Sequence, residues 1–254
     1  MSNNFNIKME FPTWETIAVK LGTFNTEINP SETYGDIPFN YNIKDNPLLT
    51  CKGTYDKDLV GIDIPVMLRQ KNTDNIIVIL GQAPLRNNKD KDPNDNIVFG
   101  TPYAVHLNKN YPSSCKVYKA IFDGLLNKNY SVYLTDIIKD WWKDRKWNPS
   151  EKEVEILKTE LELLQKKYNP KNIIIVTFGE IAKDAINKLN LPYKQINLLH
   201  PSKANWHNWK IQIFEEALYS NNINYALSKY PKRNSPTTEK IVAETALQFI
   251  YNEI

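Results

Sequence analysis

Four short apolar runs, each closed by a small or polar residue, constrain this chain more than any other feature. They are Asn75–Leu80 running into Gly81, Ser131–Thr135 followed by Asp136, Asn172–Thr177 followed by Phe178-Gly179, and Gln195–Leu199 running into His200. The first, a β-branched run, reads as a buried parallel strand, and the other three as further strands. The segments between them carry helical spacing instead. Within Ser114–Asn127 the small and apolar residues fall at Val117, Ala120, Ile121, Gly124 and Leu125. Pro149-Ser150 followed by Glu153 has the form of a capping box and opens a long charged helix to about Tyr168. Gly179–Leu189, Trp209–Tyr219 and Thr237–Tyr251 are further expected helices. Strands alternating with helices imply right-handed crossovers. The expected fold is α/β, a three-layer α/β/α sandwich around a central four-stranded, mostly parallel sheet.

The 254 residues are ample for one such core. Residues 71–225 contain it. Residues 1–70, punctuated by Asn, Pro, Thr and Gly, are expected to add a helix or two and irregular wrapping as an N-terminal extension packed on the core. Residues 226–254 provide a basic linker, Lys229–Thr238, and a last helix, all within one structural domain. Two cysteines, Cys51 and Cys115, exclude a cysteine-held metal or cluster and suit a reducing, cytoplasmic setting. No apolar run reaches the roughly 18 residues of a membrane span. A net charge of +3 is too small to announce a nucleic-acid partner, so local residues must carry that claim.

In open parallel sheets, ligands bind outside the carboxyl ends of the strands. The informative residues are therefore those just after the four runs. The first runs into Gly81-Gln82-Ala83-Pro84-Leu85, and the fourth into His200-Pro201-Ser202-Lys203-Ala204-Asn205-Trp206. Between them lie Gly100-Thr101-Pro102-Tyr103 and Leu134-Thr135-Asp136-Ile137-Ile138-Lys139.

In these four segments the chain resembles the uracil-DNA glycosylase superfamily, in order and on matching elements, over about 120 residues. That superfamily carries a G-[QEIM]-x-P loop, a G-x-P-F or G-L-x-F segment, an Asn after a central strand (T-N-x-x-K in several branches), and H-P-S. The resemblance implies a monofunctional DNA glycosylase that flips a base out of single- or double-stranded DNA. It would need neither metal nor cofactor, leave an abasic site and act as a monomer. It implies that Tyr103 stacks on the base, and that the Gln82–Ala83 backbone at Gly81 receives charge developing on the base oxygen. His200 would donate to the same oxygen. Ser202 would hold a phosphate, with Lys203, Asn205 and Trp206 as further DNA-binding candidates.

The departures from that pattern matter as much. Ala83 stands where the best-known branch places a water-activating Asp and others an Asn; some branches carry Ala there, one of them with a Glu just before it, but here that place holds the neutral Gln82. Leu85 replaces a Tyr that blocks the C5 edge of the base. Ala204 replaces the side chain that fills the gap left by the flipped base, leaving Trp206 or Lys203 for that task. Asp136 aligns with the base-reading Asn, although a slip of one residue would put Thr135 there. An ionised carboxylate only accepts hydrogen bonds, which suits an exocyclic amine and opposes a carbonyl. Leu85 and Asp136 together point to a modified cytosine of the kind found in bacteriophage DNA, and so to defence. Uracil excision in repair and a catalytically silent DNA-binding module are the alternatives. Asp136 or an acid of the loop Asp90, Asp92, Asp95 would activate water. The stretch Trp141–Trp147 interleaves aromatic and basic residues, and reads either as nucleic-acid contact or as an amphipathic helix with Trp packed inward.

Overall fold

The four apolar runs form the parallel heart of one sheet. In the computed structural model the described residues are 6–9, 36–37, 50–51, 59–69, 73–84, 97–104, 116–142, 148–202, 205, 208–209 and 236–254. Strands β1 (Asn6–Met9), β2 (Asp36–Ile37), β3 (Thr50–Cys51), β4 (Leu59–Asp63) and β5 (Val66–Arg69) precede the first run. That run is β6 (Asn75–Gly81), and β7 (Ile97–Gly100) follows it. The second run is β8 (Ser131–Asp136), trailed by β9 (Asp140–Trp142). The third and fourth are β10 (Asn172–Phe178) and β11 (Lys194–Leu198). The helices are α1 (Lys116–Asn127), α2 (Glu151–Tyr168), α3 (Glu180–Leu189) and α4 (Pro236–Glu253). Of the expected helix at Trp209–Tyr219, only its first residue is described.

The parallel strands lie in the order β11-β10-β6-β8. The first strand is thus flanked by the second and the third. The chain leaves β6 toward one edge and later crosses to the other, which makes a switch point with a crevice at the carboxyl ends. The sheet does not stop at four strands. β5 pairs antiparallel with β8, β1 with β5 and β2 with β1, giving seven strands. A smaller sheet, β3-β7-β4-β9, lies beside it. The described pieces of residues 1–70 are therefore strand. They were hard to read because runs of two to five residues carry too few positions to show a period.

Side chains alternate between two layers. Ile77 and Ile79 of β6 join a cluster with Val117, Ile121 and Leu125 of α1 and Ala246 of α4. Ile76, Val78 and Leu80 join another with Leu157 and Leu161 of α2 and Ile186 of α3. Both faces of β6 are buried, which is why its sequence is continuously apolar. A slip of one residue would exchange the faces, so the register that sets Gly81 opposite Asp136 is firmly specified. The predicted capping box closes α2. Glu153 N–H donates to Ser150 Oγ at 3.3 Å, and Ser150 N–H to Glu153 Oε2 at 2.7 Å.

Candidate active site at the carboxyl ends of the strands

Gly81 ends β6, and its missing side chain is the first clue to the site. A Cβ on Gly81 would lie 2.2 Å from Asp136 Oδ1 and 2.9 Å from the Tyr103 hydroxyl. The carboxylate and the phenol therefore close over this glycine, their oxygens at most about 5 Å apart. Only a residue with no Cβ leaves them that space. Beyond the strands the ladder continues, Ile137 N–H donating to Gly81 C=O and Ile138 N–H to Gln82 C=O, both at 3.0 Å. Asp136 is buried, 5% exposed.

Tyr103 arrives from the small sheet. Gly100, at the end of β7, accepts from Ile64 N–H at 2.7 Å. The chain then turns through Tyr103 (φ 57°) and Ala104 (φ 54°), two left-handed non-glycine residues in succession. Such backbone costs about 1–3 kcal/mol per residue and persists where the surroundings over-determine it. Here the aromatic ring supplies that constraint. It packs at 4.8 Å from Tyr118, 5.4 Å from Phe122 and 6.0 Å from Phe178, the latter two edge-on.

Asp136 is held from behind by a buried polar network. Lys139 Nζ donates to the Asp136 carbonyl at 2.6 Å and to Thr135 Oγ1 at 3.1 Å, and pairs with Glu160 of α2 at 2.6 Å. Glu160 Oε1 also accepts from Thr135 Oγ1 at 2.7 Å and Tyr133 OH at 2.8 Å. Successive strand residues face opposite layers. Thr135 therefore turns toward α2, and Asp136 shares a face with Tyr103. The side chain beside Gly81 is the Asp136 carboxylate, while the Thr135 hydroxyl bonds Glu160.

His200 follows β11 and closes the group. Its carbonyl accepts from Asn205 Nδ2 and Trp209 Nε1, both at 3.2 Å, and Asn205 N–H donates to Ser202 C=O at 3.0 Å. Trp209 is fully buried, so this loop is pinned to the core. Gly179 (φ 93°) passes beneath it, where a Cβ would meet the His200 Cβ at 3.6 Å. Tyr118 OH lies 3.4 Å from His200 Nδ1, with the rings edge-on at 5.9 Å. Burial lowers the His200 pKa from its ordinary value near 6.5, which keeps the imidazole neutral at pH 7. Tyr118 thus touches both Tyr103 and His200.

The sequence model of the uracil-DNA glycosylase superfamily matches residues 69–222, more than half of the chain and every segment that builds this site. The chain belongs to the uracil-DNA glycosylase superfamily. No curated protein matches it. Membership carries a DNA glycosylase-type function with DNA as the partner.

Within that superfamily site, the structure brings Gly81, Tyr103 and Asp136 together and ties His200 to them through Tyr118. Other candidates lie differently. The Ala83 methyl packs against the α2/α3 cluster, on the opposite layer from Asp136. The Gln82 carbonyl is bonded to Ile138 N–H. Asn205, a DNA-binding candidate, spends its amide on the His200 carbonyl, and Ser202 is half-buried beside it. Leu85, Lys203, Ala204, Trp206 and the acids Asp90, Asp92 and Asp95 lie outside the described residues. The start of Trp141–Trp147 is strand β9 rather than helix, because Asp140–Trp142 pairs with β4.

Sequence reasoning missed Tyr118, Phe122 and Glu160, and marked Phe178 by its place after a strand without giving it a role. Tyr118 and Phe122 had a readable signal, an aromatic pair at i and i+4 on the buried stripe of α1. Glu160 had none, since a Glu in a charged helix reads as solvated until a buried Lys appears opposite.

Proposed function

We propose that the protein is a monofunctional DNA glycosylase that hydrolyses the N-glycosidic bond of a cytosine-type base, one modified at C5, leaving an abasic site. The observation that carries this reading is the buried Asp136 carboxylate over Gly81, where the superfamily reads the base with an amide. A carboxylate accepts from the N4 amine of cytosine but opposes the O4 carbonyl of uracil. Discrimination of this kind is large, because a mismatched polar group is left buried and unpaired.

The remaining groups divide the chemistry. Tyr103 supplies an aromatic wall for the flipped base, with stacking worth about 1–3 kcal/mol. Neutral His200 donates to the base oxygen as negative charge develops there, and the backbone at Gly81–Ala83 offers further dipoles. Asp136 is assigned water activation as well, since Ala83 turns to the other layer and Gln82 is neutral. Ser202, Lys203 and Trp206 contact the DNA. Cytosines altered at C5 occur in bacteriophage DNA, so a cytoplasmic defence role follows from this substrate.

The test is base release from matched oligonucleotides, single- and double-stranded, carrying uracil, cytosine, 5-hydroxymethylcytosine or its glucosylated form, with alkaline cleavage of abasic sites. Cleavage confined to cytosine-type bases is expected. Release of uracil alone would refute the amine-reading role of Asp136 and make this a repair enzyme. Ala83 and Gln82, which leave no acid at the positions where the resemblance implies a water-activating one, favour one second reading: a binding module without turnover. In an enzyme Asp136→Ala lowers rate far more than DNA affinity. In a module no base is released and DNA binding persists.

A further inference from the structure

We infer that Tyr118 fixes the tautomer of His200: its phenol O–H donates to Nδ1 and leaves the ring's single proton on Nε2. The inference deepens the proposed function, on which it rests only for what Nε2–H then does, namely donate to the departing base.

Three observations carry it. Tyr118 OH and His200 Nδ1 lie 3.4 Å apart, a contact of the long kind that tightens when substrate closes a site. A phenol is a better donor than acceptor and a bare imidazole nitrogen a good acceptor, so the pair favours O–H···N over N–H···O. The second observation concerns the carbonyl of His200 itself. Histidines in active sites are often oriented by Nδ1–H donating to a nearby backbone carbonyl. Here the residue's own carbonyl already accepts from Asn205 Nδ2 and Trp209 Nε1, which fill its two lone pairs.

The third is the surroundings. Tyr118, Phe178, Gly179, Asn205 and Trp209 meet His200 from α1, β10 and the loop, and none of them carries a charge at neutral pH. The ring is therefore neutral and has one proton to place. Among the described residues no hydrogen bond reaches Nε2, so this is the nitrogen left for substrate. Tyr118 is itself immobilised, 6% exposed, with Tyr103 at 4.8 Å and Phe178 at 6.0 Å. A single phenol thus packs the aromatic wall and orients the proton of the histidine. It is a positioning residue, acting through His200.

The chain has three histidines, so long-range 1H–15N spectra of 15N-labelled full-length protein resolve each ring, with His200→Gln giving the assignment. At pH 7.5 the wild-type His200 is expected to show the Nε2–H pattern. Tyr118→Phe keeps the packed ring and removes only the hydroxyl, and should move His200 to a mixture of tautomers. On a released base the same variant should lower kcat about tenfold with KM changed less than about twofold, the mark of a donor felt in the transition state. An Nδ1–H pattern in the wild type overturns the inference, and that reading needs no variant. So does a pattern that Tyr118→Phe leaves unchanged. If the pattern and its loss are both seen while no oligonucleotide releases a base, the tautomer assignment stands and the glycosylase reading falls.

Discussion

Lys139→Met tests how Asp136 is held. Lys139 and Glu160 are 1% and 0% exposed and 2.6 Å apart. Methionine fills a similar volume but leaves the Glu160 carboxylate buried with two hydroxyl donors and no counter-charge. Breaking a buried pair from one side costs about 3–5 kcal/mol. For a domain of this size each kcal/mol moves Tm by about 2–4 °C, so the variant should melt about 6–20 °C lower. The informative control is the double variant Lys139→Met/Glu160→Gln. Glutamine keeps an acceptor for Tyr133 and Thr135 while removing the stranded charge, so the double should be more stable than Lys139→Met alone. Thermal and urea unfolding of the wild type, both single variants and the double close the cycle. Reasoning from a buried ion pair fails if Lys139→Met costs less than about 1 kcal/mol, or if the two single losses simply add. Below its melting point the variant should also lose activity, because Lys139 fastens the Asp136 carbonyl, and a shift of about 1 Å in such a group costs on the order of 10²-fold in rate.

Three other outcomes follow from the same geometry. Gly81→Ala drives a Cβ into Asp136 Oδ1; a loss of about 1–3 kcal/mol and on the order of 10²-fold in base release is expected, and full activity would show that the carboxylate does not close over residue 81. Asp136→Asn restores an amide that can both donate and accept, so the oligonucleotide panel should shift toward uracil; an unchanged preference would remove Asp136 from base reading. His200 has a lowered folded-state pKa, so the unfolded chain binds its proton first as pH falls. The stability it lends is complete above about pH 6.5 and is lost as pH drops from there through the folded value, so Tm between pH 8 and 5 should fall less steeply in His200→Gln than in the wild type.

Strands β6, β8 and β10 were legible because both their faces are buried and their middles are apolar, β11 because Ile196 and Leu198 alternate with polar residues, and α2 because Ser150 and Glu153 cap it in sequence. The antiparallel extension was not. Val66–Arg69 and Asn6–Met9 are four residues each and take their strand character from partners far along the chain. The site divides on the same line. Gly81, Tyr103, Asp136 and His200 stand in motifs at strand ends. Tyr118 and Glu160 lie within helices, and their roles exist only once α1 and α2 are laid on opposite faces of the sheet.

Ala83 and Asp136, two of the departures read from the sequence, face opposite layers of the sheet. The Asp136 carboxylate lies against Gly81, two residues before position 83. An acid at 83 would set its partly buried carboxylate against the apolar α2/α3 cluster, where burial disfavours the ionised form. A methyl at 83 turned into the α2/α3 layer avoids that cost. Ala83→Asp is therefore expected to lower Tm by an amount that adding Asp136→Asn does not restore, as thermal unfolding of both single variants and the double would show; rescue in the double would place the two side chains in one space.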